Sequence, residues 1–179
     1  LWAYASRSFP VADQASILKC VDGLMHGDYA CMNPASPDGY LQYNRHQVGL
    51  TAFFELFTRI FTGGKVNYHG IYGLNVFMIT GIFYGLYLVT KQLTERKDII
   101  NLEILLSFGM FQLMMYSTFV YGLIPGLFFA MFGIYFMLKL LKTRKWYFGI
   151  LMALMCALAI VMKSNYMIFM IAVGATLYS

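Results

Sequence analysis

From about residue 66 onward the chain alternates long uncharged stretches with short basic clusters. Residues 66–90, 104–138, 146–162 and 164–179 contain no Asp, Glu, Lys or Arg. A helix needs about 20 apolar residues to cross a hydrocarbon core of about 30 Å. The second run is too long for one crossing, and Tyr121-Gly122-Leu123-Ile124-Pro125-Gly126 near its middle supplies turn residues. The pattern predicts spans over 70–90, 101–119, 124–141, 146–162 and 165–178.

The first seventy residues follow a different pattern. From Asp13, the apolar residues Ile17, Leu18, Val21, Leu24 and Met25 recur at helical spacing. A turn-rich passage follows, with Asn33-Pro34, Ser36-Pro37 and Asp38-Gly39. Leu50, Phe53, Phe54, Phe57, Ile60 and Phe61 then mark a second helix, with Thr51, Glu55, Thr58 and Arg59 opposite them. Such helices lie in a membrane interface with the aromatic face down. The expected fold is all-α: a polytopic transmembrane helix bundle (69–179) with a large outer loop (10–68) that holds two amphipathic interfacial helices. Residues 1–9 read as the outer end of a first transmembrane helix, and the chain as an N-terminal piece of a larger protein.

Composition agrees with a membrane class. The 179 residues are 60% hydrophobic and 12% charged, against about 25% charged in a soluble domain. The net charge of +5 would suit a nucleic-acid partner if it were spread over a surface, but it is not. In residues 1–70, Arg7, Lys19, Arg45, Arg59 and Lys65 balance Asp13, Asp22, Asp28, Asp38 and Glu55. The excess lies in two clusters, Lys91, Arg96 and Lys97, then Lys139, Lys142, Arg144 and Lys145. Both fall in loops on one side of the predicted bundle, which the positive-inside rule places in the cytoplasm. The segment 10–68 is then outside, and no nucleic-acid partner is implied.

Few residues bear chemistry. Asp13 follows Pro10 at the predicted membrane edge. It reads as a general base toward an acceptor hydroxyl or as the N-cap of the first helix, and the two are compatible. Lys163 is the one charged residue after Lys145. In Lys163-Ser164-Asn165-Tyr166 it reads as a point charge for a phosphate or as a lysine snorkelling to water. Tyr121 suits an outer vestibule or an interfacial anchor. Arg45, His46 and Gln47 make a small polar group at the start of the second outer helix. His26, His46 and His69 lack metal-ligand spacing, so no metal is assigned. An 11-residue spacing does not define a disulfide between Cys20 and Cys31.

Several stretches together carry a resemblance: Pro10-Val11-Ala12-Asp13-Gln14, Gly39-Tyr40-Leu41, His46-Gln47-Val48-Gly49-Leu50, Leu74-Asn75-Val76, Tyr116-Ser117-Thr118-Phe119-Val120-Tyr121-Gly122 and Lys163-Ser164-Asn165-Tyr166. Their order resembles bacterial integral-membrane glycosyltransferases of the GT-C superfamily, the group similar to protein O-mannosyltransferases. The resemblance implies an inverting enzyme of the cell envelope. It would use a polyprenyl-phosphate-linked sugar at the extracytoplasmic face of the bacterial plasma membrane. It places Asp13 as the catalytic acid residue of the first outer loop, with Lys163 and Asn165 as polar groups facing the site. Arg45, His46, Gln47 and Tyr121 join them as substrate-binding candidates, and the acceptor is left unnamed. Two positions depart from the family pattern: Arg45 stands for Pro, and Leu123 for an acid. The resemblance leaves room for a divalent cation, which a lone Asp does not establish. A transporter or flippase of lipid-linked substrates would call for internal repeats and polar mid-span residues, and neither is present. A non-catalytic membrane scaffold is the remaining alternative.

Overall fold

Helix follows the apolar periodicity through most of the chain, and every regular element among the described residues is helical. The computed structural model describes Ala5, residues 8–37 and residues 39–178, with only the backbone of 177 and 178. The span end expected over 1–9 lies largely outside these residues.

Two helices dominate. Helix α4, Tyr68–Leu93, has 26 residues and at 1.5 Å per residue reaches about 39 Å. Its start is fixed by Asn67, whose side-chain oxygen accepts the His69 N–H at 2.9 Å. Helix α7, Leu123–Thr143, has 21 residues and reaches about 32 Å. Pro125 sits in its first turn, where a missing N–H costs no intrahelical bond. Both are long and apolar enough to cross a membrane. Helices α8, Trp146–Met162, and α9, Met167–Tyr178, have 17 and 12 residues; at about 26 and about 18 Å they are shorter than a straight crossing.

The expected helix over 101–119 is not continuous. It consists of α5, Lys97–Phe108, and α6, Phe111–Met115, followed by a 3-10 turn, Tyr116–Thr118. The two parts are bent by 44°. At the break the Gly109 N–H closes back on the Leu106 carbonyl at 2.9 Å, and Met110 leaves helical geometry at φ −76°, ψ 57°. The sequence hides this break because an apolar run reports apolar surroundings, not an unbroken helix. Length and composition therefore support two membrane-crossing helices, or three with the bent pair taken as one, against the five spans expected.

Helix α7 packs along α8 on one side and α4 on the other, with Met78, Ile79 and Ile82 of α4 meeting Ile124 of α7. Across the ends of this group lies the N-terminal segment. It contains α1, Asp13–Met25, the short α2, Tyr40–Tyr43, and α3, Val48–Phe61. Ile17 and Val21 of α1, Leu50 and Phe54 of α3, Ile71 and Tyr72 of α4, Val120 and Met162 share one buried cluster. Burying a side chain of this size stabilises by about 1.5–3 kcal/mol, so this cluster fixes the segment to the long helices. Close approach is required at Gly49, where an added Cβ would collide with the Val161 side chain and carbonyl of α8.

The faces of α3 differ from the sequence expectation. Its buried residues are Leu50, Thr51, Phe54 and Thr58, so two threonines assigned to the polar face point inward, while Leu56, Ile60 and Phe61 are exposed. Thr51 is compatible with burial because its hydroxyl donates to the Gln47 carbonyl one turn back, at 2.9 Å. Cys20 and Cys31 belong to a small second cluster with Leu24 and Leu41, and both are thiols.

Candidate functional site

A cavity of about 370 Å³ opens where the N-terminal segment meets the ends of the long helices. Asp13, Gln14, Tyr121, Leu123 and Lys163 contribute to its wall. Three of the residues singled out from sequence, Asp13, Tyr121 and Lys163, thus share one wall although they are up to 150 positions apart.

Asp13 is the first residue of α1 and not its N-cap. The capping position belongs to Ala12, and no side chain caps the helix. Ala12 has φ 50°, ψ −125°, a positive φ that costs a non-glycine residue on the order of 1–3 kcal/mol. This kink directs the chain into α1. The Asp13 carboxylate is exposed and has no hydrogen bond or ion pair among the described residues. Next to it, the Gln14 side-chain oxygen accepts the Val120 N–H at 2.9 Å, which ties the first turn of α1 to the turn before Tyr121.

That turn is held from its other side by Asn75 of α4. The Asn75 side-chain N–H donates to the Ser117 carbonyl at 3.2 Å and the Phe119 carbonyl at 2.8 Å. Asn75 is fully buried, and its own side-chain oxygen has no partner among the described residues. Lys163 follows α8, and its Nζ lies over the Tyr121 ring, 5.0 Å from the centroid. A cation over an aromatic face is attracted by the ring quadrupole. Gly122 makes this proximity feasible: a Cβ there would collide with the Met162 carbonyl. Finally, the Tyr166 hydroxyl donates to the Leu123 carbonyl at 3.0 Å, fixing the stretch after Lys163 to the start of α7.

The remaining sequence candidates are elsewhere. Arg45, His46 and Gln47 form a 3-10 turn before α3 and Asn165 belongs to the 3-10 turn Ser164–Tyr166; none of the four lines this cavity. Arg45, His46 and Asn165 are exposed. Gln47 is buried, 3.3 Å from the His46 ring through its side-chain nitrogen, and serves the start of α3. Sequence reasoning quoted Gln14, Asn75 and Tyr166 in motifs without giving them roles. Their partners lie at least 42 positions away, and local pattern carries no signal for that.

Chemically the wall offers one carboxylate and one ammonium with no ion pair to each other among the described residues, two phenols (Tyr116 and Tyr121), the Gln14 amide and apolar residues. Leu123, an apolar residue, lines the wall beside Tyr121. Among the described residues no group of three or more His, Cys, Asp or Glu side chains converges. Asp13 is the one carboxylate on this wall among the described residues. Compared with protein-family models, curated proteins and solved structures, the chain matches none.

Proposed function

We propose that this protein is a membrane glycosyltransferase that moves a sugar from a polyprenyl-phosphate donor to a hydroxyl-bearing acceptor at the outer face of the membrane. The observation that carries the reading is the shared cavity of Asp13, Tyr121 and Lys163. It lies beside helices long enough to cross a bilayer, so a lipid-borne donor reaches it from the membrane. The charge pattern of the loops favours the outer face for the end where Asp13 and Lys163 lie.

The chemistry suits this pair. The acceptor oxygen attacks the anomeric carbon and its proton passes to the Asp13 carboxylate. On the opposite face the bond from that carbon to the phosphate oxygen breaks, with the electron pair leaving on the phosphate. One displacement inverts the anomeric centre. The transition state is oxocarbenium-like, and the negative charge growing on the phosphate is met by the Lys163 ammonium in a site with apolar walls. The Tyr121 ring orients that ammonium. Leu123, standing where the resemblance expects an acid, favours a second reading, a non-catalytic membrane scaffold.

The test is transfer of radiolabelled sugar from polyprenyl phosphate in membranes containing the full-length protein. Removal of a general base lowers rates by about 100-fold or more, and Asp13→Asn is expected to show that loss. An Asp13→Asn variant at the wild-type rate would exclude Asp13 as the base. Donor binding without transfer by the wild type would favour the scaffold.

A further inference from the structure

The hairpin that joins α7 to α8 concentrates positive charge. Lys139 and Lys142 lie in the last turns of α7, Arg144 follows it, and Lys145 precedes Trp146, the first residue of α8. From residue 104 onward the chain has no Asp or Glu. Lys142, Arg144 and Lys145 are exposed, and no carboxylate pairs with any of the four cations among the described residues. The loop after α4 lies at the same end, because α4 and α7 run parallel: Gly81 approaches Phe128 and Gly85 approaches Met131. In that loop Arg96 donates two hydrogen bonds to the Asp98 carboxylate, the shorter at 2.6 Å. The positive-inside bias explains cations at this end, yet it tolerates an acid in one loop while the hairpin has none.

Helix capping does not use these cations either. Lysine and arginine at a helix C-terminus can serve its last carbonyls. Here the Leu140 carbonyl accepts the Arg144 backbone N–H at 2.8 Å, and the Lys139 carbonyl accepts the Thr143 hydroxyl at 2.7 Å. Arg144 itself has φ 56°, ψ 20°, a left-handed conformation for which glycine is the usual residue after a helix. An arginine there is held at a conformational cost, and it places a guanidinium in the turn itself.

The surroundings indicate what meets this charge. Helix α7 is long and apolar enough to cross a bilayer, which puts its last turn at a membrane surface. Trp146, Ile150 and Leu154 recur every four residues along α8 and are 74%, 58% and 50% exposed, so an apolar stripe runs down from the hairpin. Trp at such a position sits at headgroup level. The Lys139 and Lys145 ammonium groups lie 5.8 and 6.0 Å from the Tyr135 and Tyr147 ring centroids, which leaves Lys142 and Arg144 as the two without a ring or an acid among the described residues.

We propose that the α7–α8 hairpin binds the headgroup phosphate of an anionic phospholipid, with Lys142 and Arg144 as its contacts. Arginine engages phosphate oxygens through its planar fork and lysine as a point charge. The stripe from Trp146 to Leu154 receives an acyl chain of the same molecule, which a soluble anion could not use. This site is independent of the transferase reading.

The experiment titrates the full-length protein in mild neutral detergent with tail-labelled phosphatidylglycerol or phosphatidylcholine of equal chain length and reads binding by fluorescence anisotropy. Each basic residue near an anionic lipid strengthens binding about fivefold, so wild type is expected to prefer phosphatidylglycerol by about 25-fold. Lys142→Gln combined with Arg144→Gln should remove that preference, with an unchanged unfolding midpoint in lipid-free detergent, while Lys91→Gln combined with Arg96→Gln should keep it. Equal binding of the two lipids by wild type would overturn the site. Equal loss in both double variants would overturn it too, since the preference would then belong to the general charge of that end. Inorganic phosphate that displaces phosphatidylglycerol at equal concentration would make the ligand a soluble anion and refute the lipid assignment. If the hairpin variant does not fold, wild type decides alone. Raising salt from about 0.1 M to about 1 M shortens the Debye length from about 10 to about 3 Å and should cut the preference severalfold, whereas a salt-independent preference would refute the charge contact.

Discussion

Asn75 offers the sharpest test of how the site is held. Replacing it by Leu keeps its approximate volume and removes both hydrogen bonds to the turn at Ser117 and Phe119. Each such bond contributes a net of about 0.5–1.5 kcal/mol. The Phe119 carbonyl retains the Tyr121 N–H at 3.0 Å, so it is not orphaned. The Ser117 carbonyl, on a residue 3% exposed, loses its partner at a cost of about 1–3 kcal/mol. Removing the partnerless Asn75 oxygen returns about the same amount, which leaves a net loss of about 1–3 kcal/mol for Asn75→Leu. Asn75→Asp is expected to be worse, at about 3–5 kcal/mol. It sets a carboxylate against two carbonyl oxygens, where it must be protonated or remain as a buried uncompensated charge. The assay is denaturant unfolding in mild detergent together with hydrogen exchange at the Val120 amide, whose Gln14 bond depends on the turn. Exchange at Val120 should speed up in both variants. An aspartate variant as stable as wild type, or unchanged Val120 protection in both, would refute the clamp.

Gly122→Ala is expected to destabilise by about 1–3 kcal/mol, because the colliding atom is the Met162 backbone carbonyl and the ends of α7 and α8 must move apart. A displacement of about 1 Å at such a site lowers turnover on the order of 100-fold, so transfer assays should fall much further for this variant than for a similarly destabilised one at Ile82. Tyr40 predicts an alkaline limit. Its folded pKa of about 12 exceeds the unfolded value of about 10, so between these values the unfolded state holds fewer protons and stability falls as pH rises. Equilibrium unfolding followed across that window should show the decline in wild type and a flatter curve in Tyr40→Phe; equal slopes would show that the folded state does not hold the phenol protonated.

How legible all this was depends on the range of the interactions. Helix α8 occupies 146–162 because its ends are marked by Lys145 and Lys163 at an otherwise uncharged stretch, and α1 begins at Asp13 where the period starts. These are local signals. The break at Gly109 was not legible, since the residues on both sides are apolar and only the backbone geometry interrupts the helix. The buried face of α3 was misread because Thr51 satisfies its hydroxyl within its own helix, which makes a polar residue compatible with a core. The site itself was half visible. Asp13, Tyr121 and Lys163 stood out by charge or position, whereas Arg45, His46 and Asn165 did so equally and do not reach the cavity. Sequence marks a polar residue in apolar surroundings, but which of them converge is set by pairings such as Gln14 with Val120.

Those pairings explain how a carboxylate and an ammonium line one cavity without neutralising each other. An ion pair between them would leave neither available, the base for a proton or the cation for a phosphate. Asp13 is restrained through Gln14 to Val120 and by the backbone kink at Ala12. Lys163 is restrained by the Tyr121 ring and by the approach that Gly122 permits. Both sets of restraints meet in one turn, residues 116–122, and Asn75 fixes that turn to the longest helix. The separation of the two charges is therefore set by a single element held from α4. A substitution in that element should disturb both ends of the proposed reaction at once, while substitutions at Asp13 or Lys163 disturb one each.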